Sequence, residues 1–89
     1  MGTNSKQTFR GITRAVFTRL RKKASKFGFP VAKPKGSAKN DGIRIHWNYN
    51  PQLETLEVQC STLFWINSAR IHEQLRREIE ATIHADRAA

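Results

Sequence analysis

The 89-residue chain carries 16 Lys and Arg against 7 Asp and Glu, for a formal charge of +9 at pH 7, and only 38% of its residues are hydrophobic. A chain of this length supports a single small domain (residues 1–89) that buries only about 60% of its unfolded surface. Its one cysteine, Cys60, excludes an intrachain disulfide and suits a reducing, cytoplasmic setting, and its longest apolar run, Leu63-Phe64-Trp65-Ile66, falls far short of a membrane span.

From Phe9 onward, Ile12, Val16, Leu20 and Phe27 recur at helical intervals, with Phe17 and Ala24 widening the stripe. A basic amphipathic helix is predicted over residues 8–28. Arg10, Arg14, Arg21, Lys22 and Lys26 spread over its polar side, while Arg19 and Lys23 sit at the boundary, where their stems can lie on apolar neighbours. Gly28 suits the left-handed position that ends a helix, Phe29 can fold back on the last turn, and Pro30 prevents continuation. The basic residues at 22, 23 and 26 also complement the negative end of the helix dipole, so part of the charge has a structural reason.

Residues 30–42, PVAKPKGSAKNDG, combine two prolines, two glycines and three lysines with few bulky apolar groups, the composition of a mobile basic linker. Over residues 43–62 the pattern changes to alternation. Ile43, Ile45, Trp47 and Tyr49 form one face of a first strand, and Leu56, Val58 and Cys60 one face of a second, with Asn50-Pro51-Gln52 as the turn. This is the pattern of an antiparallel hairpin whose polar face places Arg44 and His46 beside Glu57 for cross-strand pairing. Asn67 then fits as the N-cap of a second helix over 67–85, with Ile66 packing on Ile71. Ile71, Leu75, Ile79 and Ile83 supply its apolar stripe, and Glu73 with Arg77 and Arg76 with Glu80 stand at ion-pair spacing.

The expected architecture is therefore α+β, a small αββα domain of helix, linker, hairpin and helix. Two strands cannot stand alone, and their open edges invite a homodimer in which two hairpins join into one sheet.

His46, His72 and His84 match no ligand spacing, so no metal or other cofactor is expected. Cys60 lies in the apolar alternation of its strand, where a buried small hydrophobe is the simpler reading than a reactive thiol. The chain contains no nucleophile elbow, framed carboxylate pair or phosphate-loop consensus, so the reading is non-enzymatic and no small-molecule ligand is indicated. Trp47 and Tyr49 could stack bases, but they also form the only sheet core available to two amphipathic helices; Trp47 is read as core, and Tyr49, near the turn, stays open between the two.

The charge is distributed unevenly. Residues 1–41 hold 11 of the 16 cations and a single acid, Asp41, whereas residues 42–89 are nearly balanced. A solvated surface normally mixes both signs, so this asymmetry points to a polyanion. The leading expectation is nucleic-acid binding, DNA or RNA, mainly through phosphates and with little sequence specificity. Its contacts are Arg10, Arg14, Arg21, Lys22 and Lys26 from the helix and Lys33, Lys35 and Lys39 from a flexible tail. The alternative is a protein-interaction or assembly module, as a homodimer or with an acidic partner. A third reading lays residues 9–27 on an anionic membrane, with Phe9, Val16, Phe17 and Leu20 entering lipid.

Overall fold

A computed structural model of the chain describes residues 2–3, 6–63 and 66–88. In chain order the elements are β1 (Gly2–Thr3), β2 (Gln7–Arg10), α1 (Arg14–Lys26), β3 (Lys35–Asn40), β4 (Ile43–Asn50), β5 (Thr55–Thr62) and α2 (Ser68–Ala88). All strand pairs are antiparallel. β3, β4 and β5 form a meander, and β1 and β2 both pair along the free edge of β5, which gives four lanes of strand. The class is small α+β, with four antiparallel lanes in one sheet and two helices packed on one of its faces.

Two parts of the αββα expectation change. Residues 7–10 are strand, because the stripe read from Phe9 is interrupted at Gly11, whose φ of +75° takes the chain out of β2. Thr13 then caps α1, its hydroxyl accepting from the Val16 N–H at 3.2 Å. Phe9 reaches the core from β2 instead of from the helix. Residues 30–42 are likewise not a mobile linker. The Val31 carbonyl accepts from Arg21 Nε at 2.8 Å, the Lys33 carbonyl from Trp47 Nε1 at 2.8 Å, and the Pro34 carbonyl from the Tyr49 N–H at 2.7 Å. These bonds lead the chain into β3, which joins β4 through Asp41-Gly42. Both turn residues have positive φ, +51° and +79°, the two-residue reverse turn that matches strand twist.

These corrections remove the reason given for a hairpin-to-hairpin dimer. β4 and β5 are the inner strands, and their outer edges are already paired within the chain by β3 and by β1 and β2. The edge at β3 carries Lys35, Gly36 and Lys39, residue types that discourage further strand pairing.

Other local expectations hold. Gly28, two residues past the end of α1, has φ +87° and stops the helix. The Phe29 N–H bonds to the Ala24 carbonyl at 2.8 Å and the Gly28 N–H to the Ser25 carbonyl at 3.0 Å, closing the last turn. Asn67 caps α2 through its side-chain oxygen, 3.2 Å from the Arg70 N–H. The β4–β5 hairpin turns on Asn50, whose side chain accepts from the N–H groups of Gln52 and Leu53. Phe64 and Trp65, at the centre of the apolar run before α2, lie outside the described residues.

The core sits between the sheet and both helices. Phe9, Trp47, Tyr49, Leu56 and Val58 meet Ile12, Val16 and Phe17 from the α1 side and Ile79 and Ile83 from α2. Tyr49 stacks on Phe17, with ring centroids 4.2 Å apart, and donates its hydroxyl to the Ile12 carbonyl at 2.8 Å.

Candidate nucleic-acid interface

The register fixes which side chains of the sheet face solvent. Because Trp47, Tyr49, Leu56, Val58 and Phe9 point to the helices, the alternate residues must point away. The outer face is accordingly polar: Thr8 and Arg10 on β2, Lys35, Ser37 and Lys39 on β3, Arg44, His46 and Asn48 on β4, and Glu57, Gln59 and Ser61 on β5. Among the described residues no aromatic ring is on it. Trp47 and Tyr49 are both core residues, so the base-stacking use left open for Tyr49 has no exposed ring to work with.

The solvent side of α1 has a different character. Val16, Phe17, Leu20 and Ala24 turn toward the core, leaving Arg14, Ala15, Thr18, Arg19, Arg21, Lys22, Ser25 and Lys26 exposed. Five of those eight residues are cations and none is an acid. Over 13 residues the helix is about 20 Å long, so this is a continuous basic strip. Arg14 opens the helix, where the dipole disfavours positive charge and where no acid stands in the first turn. Dipole complementarity therefore explains Lys23 and Lys26 at the far end but not Arg14.

The eight residues singled out from the sequence are all exposed, but they fall into three groups. Arg14, Arg21, Lys22 and Lys26 share the α1 strip. Lys33 lies in the segment leading to β3. Arg10, Lys35 and Lys39 belong to the outer sheet face, on the opposite side of the molecule from the helices. Arg10 is thus not a helix residue, and Lys35 and Lys39 are not part of a flexible tail. Arg19, placed at the boundary by periodicity, is exposed and joins the strip, as the 13-residue helix would have shown had its start been put at Thr13.

Four of the seven acids, Glu57, Glu73, Glu78 and Glu80, are engaged elsewhere. Among the described residues, ion pairs join Lys6 to Glu57 (3.7 Å), Lys23 to Glu78 (3.4 Å), Arg76 to Glu73 and to Glu80 (2.6 Å to the latter), and Arg77 to Glu73 (3.3 Å). None reaches any of the eight predicted cations or Arg19. Glu57 faces Asn48 across the strands and pairs with Lys6, so the expected pairing with Arg44 or His46 does not form; those two stand opposite Ser61 and Gln59.

A second feature is apolar. A cleft of about 290 Å³ opens between α1, α2 and the sheet, lined by Leu20, Phe27, Val31, Ile45, Ile71 and Leu75 among others, with Phe27 55% exposed. Phe9, Val16 and Phe17, which the membrane reading would insert into lipid, are buried in the core; Phe9 belongs to β2, and α1 can present Val16 and Phe17 to a bilayer only by leaving the sheet. No helix among the described residues is long and apolar enough to cross a membrane.

Among the described residues no three His, Cys, Asp or Glu side chains gather as metal ligands. His46 and His84 are exposed, and Cys60 is buried on the inner face of β5. Comparison of the chain with protein-family models, with curated proteins and with solved structures returns no match, which leaves the geometry of the basic strip and the outer sheet face to carry the functional argument.

Proposed function

We propose that this protein is a non-enzymatic nucleic-acid-binding module that holds phosphates along the outer face of α1, through Arg14, Arg19, Arg21, Lys22 and Lys26. The observation carrying this reading is that the whole solvent side of α1 is free of acids while the ion-paired glutamates lie on α2 and β5. Ser25, exposed in the last turn of the strip, adds a hydroxyl suited to phosphate oxygens, whereas the Thr18 hydroxyl donates to the Arg14 carbonyl at 2.9 Å. The proposed substrate class is duplex: sequence-tolerant single-strand binders stack bases on exposed aromatic platforms, and among the described residues the sheet aromatics Trp47 and Tyr49 are buried in the core. With no base-reading motif on the strip, phosphate contact dominates and sequence preference is weak.

Fluorescence anisotropy of a labelled duplex, titrated with protein at several salt concentrations, tests this directly. Five contacts give a slope of log K against log salt near −4.5, from about −0.9 per phosphate neutralised. Arg14→Gln/Lys22→Gln should reduce the slope by about 1.8 and weaken binding at 0.1 M salt by roughly 60-fold. A flat salt response, or a double variant that binds like wild type, refutes the reading.

The apolar cleft favours a second reading, an assembly module that seats an apolar side chain of a protein partner at Phe27. Sedimentation equilibrium compares them: a concentration-dependent oligomer lost in Phe27→Ser supports assembly, and a monomer at all concentrations removes self-association.

A further inference from the structure

The outer sheet face contains an arrangement that stability alone does not favour. Lys39 on β3 stands directly opposite Arg44 on β4, both exposed, in the cross-strand position where like charges repel. Lys35 lies further along β3 on the same face, and Arg10 lies across the sheet on β2. Glu57, the acid of this face, is engaged by Lys6. Ser61 flanks Arg44 on its other side, and Ser37 lies between the two lysines of β3. A pair of adjacent cations bordered by hydroxyls is the local chemistry of an anion-binding surface.

This face and the α1 strip point in opposite directions, because both helices cover the same side of the sheet. The molecule measures only 22 to 23 Å across its short axes. One duplex in contact with both faces would have to reverse direction around that thickness. Smooth bending by 40–90° over 20–30 base pairs already costs of order 1–6 kcal/mol, so full reversal is far outside what a few phosphate contacts return.

We propose that the outer sheet face is a second phosphate-binding surface centred on Lys39 and Arg44, so that one molecule bridges two duplex segments, one on each face. This rests on the α1 reading above. The occupant is a second nucleic-acid segment, because the cations are spread over three strands, as an extended polyanion requires.

The test mixes two short duplexes, one carrying a donor fluorophore and one an acceptor, with wild-type protein, while anisotropy reports single-duplex affinity in parallel. Wild type should bind and produce energy transfer that disappears at high salt. In Lys39→Gln/Arg44→Gln, affinity for the first duplex should stay within about threefold, since the α1 contacts that set it are unchanged, while transfer falls to background. The variant's thermal midpoint at low salt should equal or exceed that of wild type, because a repulsion has been removed. Binding without transfer in wild type, or transfer that persists in the sheet variant, overturns bridging and leaves the α1 reading intact. If the sheet variant weakens single-duplex binding as much as Arg14→Gln/Lys22→Gln does, one duplex is docked around the β3 edge and bridging again falls. Absence of any duplex binding refutes both readings together.

Discussion

The hydroxyl of Tyr49 ties the start of α1 to the sheet, and its removal offers a sharp test of the scaffold beneath the basic strip. Ile12, immediately before the capping Thr13, is fully buried; its N–H donates to the Glu54 carbonyl at 2.9 Å, and its carbonyl accepts from Tyr49 at 2.8 Å. Tyr49→Phe keeps the ring stacked on Phe17 and leaves a buried carbonyl without that donor. Such an acceptor costs about 1–3 kcal/mol. For a domain of this size a loss of about 2 kcal/mol lowers the melting midpoint by roughly 8–16 °C. Urea unfolding followed by tryptophan fluorescence should show a lower midpoint at unchanged slope, and duplex affinity of the folded variant should be preserved because no charge has moved. Tyr49 also gives a pH signature. Burial raises its pKa above the usual 10.0, opposed by the nearby Arg14 charge and reinforced by Glu54. Since the folded state holds the proton more tightly, this contribution is complete below pH 10 and is lost as the pH climbs through the folded value. Wild type should therefore destabilise in that range relative to Tyr49→Phe. A change in stability below about 0.5 kcal/mol on losing the hydroxyl, within the scatter of ordinary surface substitutions, would refute the claim that this bond anchors α1.

Two further perturbations probe the stop of α1 and an ion pair within α2. Gly28→Ala places a Cβ at φ +87° and against the side-chain amide of Asn40, whose Nδ2 donates to the Phe27 carbonyl at 3.3 Å. Chemical denaturation should show a loss of about 1–3 kcal/mol, with the steric part recovered in an Asn40→Ala background and the backbone part not. On α2, hydrogen bonding from Arg76 holds the Glu73 carboxyl below its usual 4.5, against a smaller opposing effect of burial and with help from Arg77. The depressed value means that this stabilisation is present above pH 4.5 and fades as the pH falls through the folded value. The melting difference between wild type and Arg76→Gln should accordingly narrow on acidification, and a difference that stays constant would refute the assignment.

What could be read from the sequence followed how local each signal is. Gly28 as a helix stop, Asn67 as a cap and the 43–62 hairpin all depend on residues within a few positions of one another, and all three form. β2 was misread because Phe9 stands three residues before Ile12 and so extends a helical stripe on paper, although Gly11 between them breaks it. β3 was missed because its inward positions are Gly36, Ala38 and Asn40, which carry no hydrophobic alternation. Their smallness reflects tertiary packing: a Cβ at Gly36 would lie 3.1 Å from the Trp47 ring, so the indole fills the space a larger residue would take. The sequence did hold one local clue, Asp41-Gly42, the turn dipeptide most characteristic of a tight hairpin. The predicted cations were correctly placed at the surface, but their division between two faces depends on the strand register, which composition cannot supply.

The fold turns a charge gradient along the chain into a charge separation in space. α2 contributes acids and bases in equal measure and neutralises them largely within itself, through Arg76 and Arg77 against Glu73 and Glu80. One α1 cation, Lys23, is drawn into this exchange, and it is the one facing α2 through Glu78. Had the two helices crossed with α2's acidic side toward the α1 strip, those charges would have cancelled and the surface would be unremarkable. Instead α2 lends α1 a single counterion at the helix–helix seam and leaves its outer side uncompensated. That arrangement raises the electrostatic cost of the free protein, because unscreened like charges along a helix repel one another. It follows that added multivalent anion should stabilise the protein more than the same ionic strength of a monovalent salt, with the gain concentrated at Arg14, Arg19 and Lys22, which enter no ion pair among the described residues.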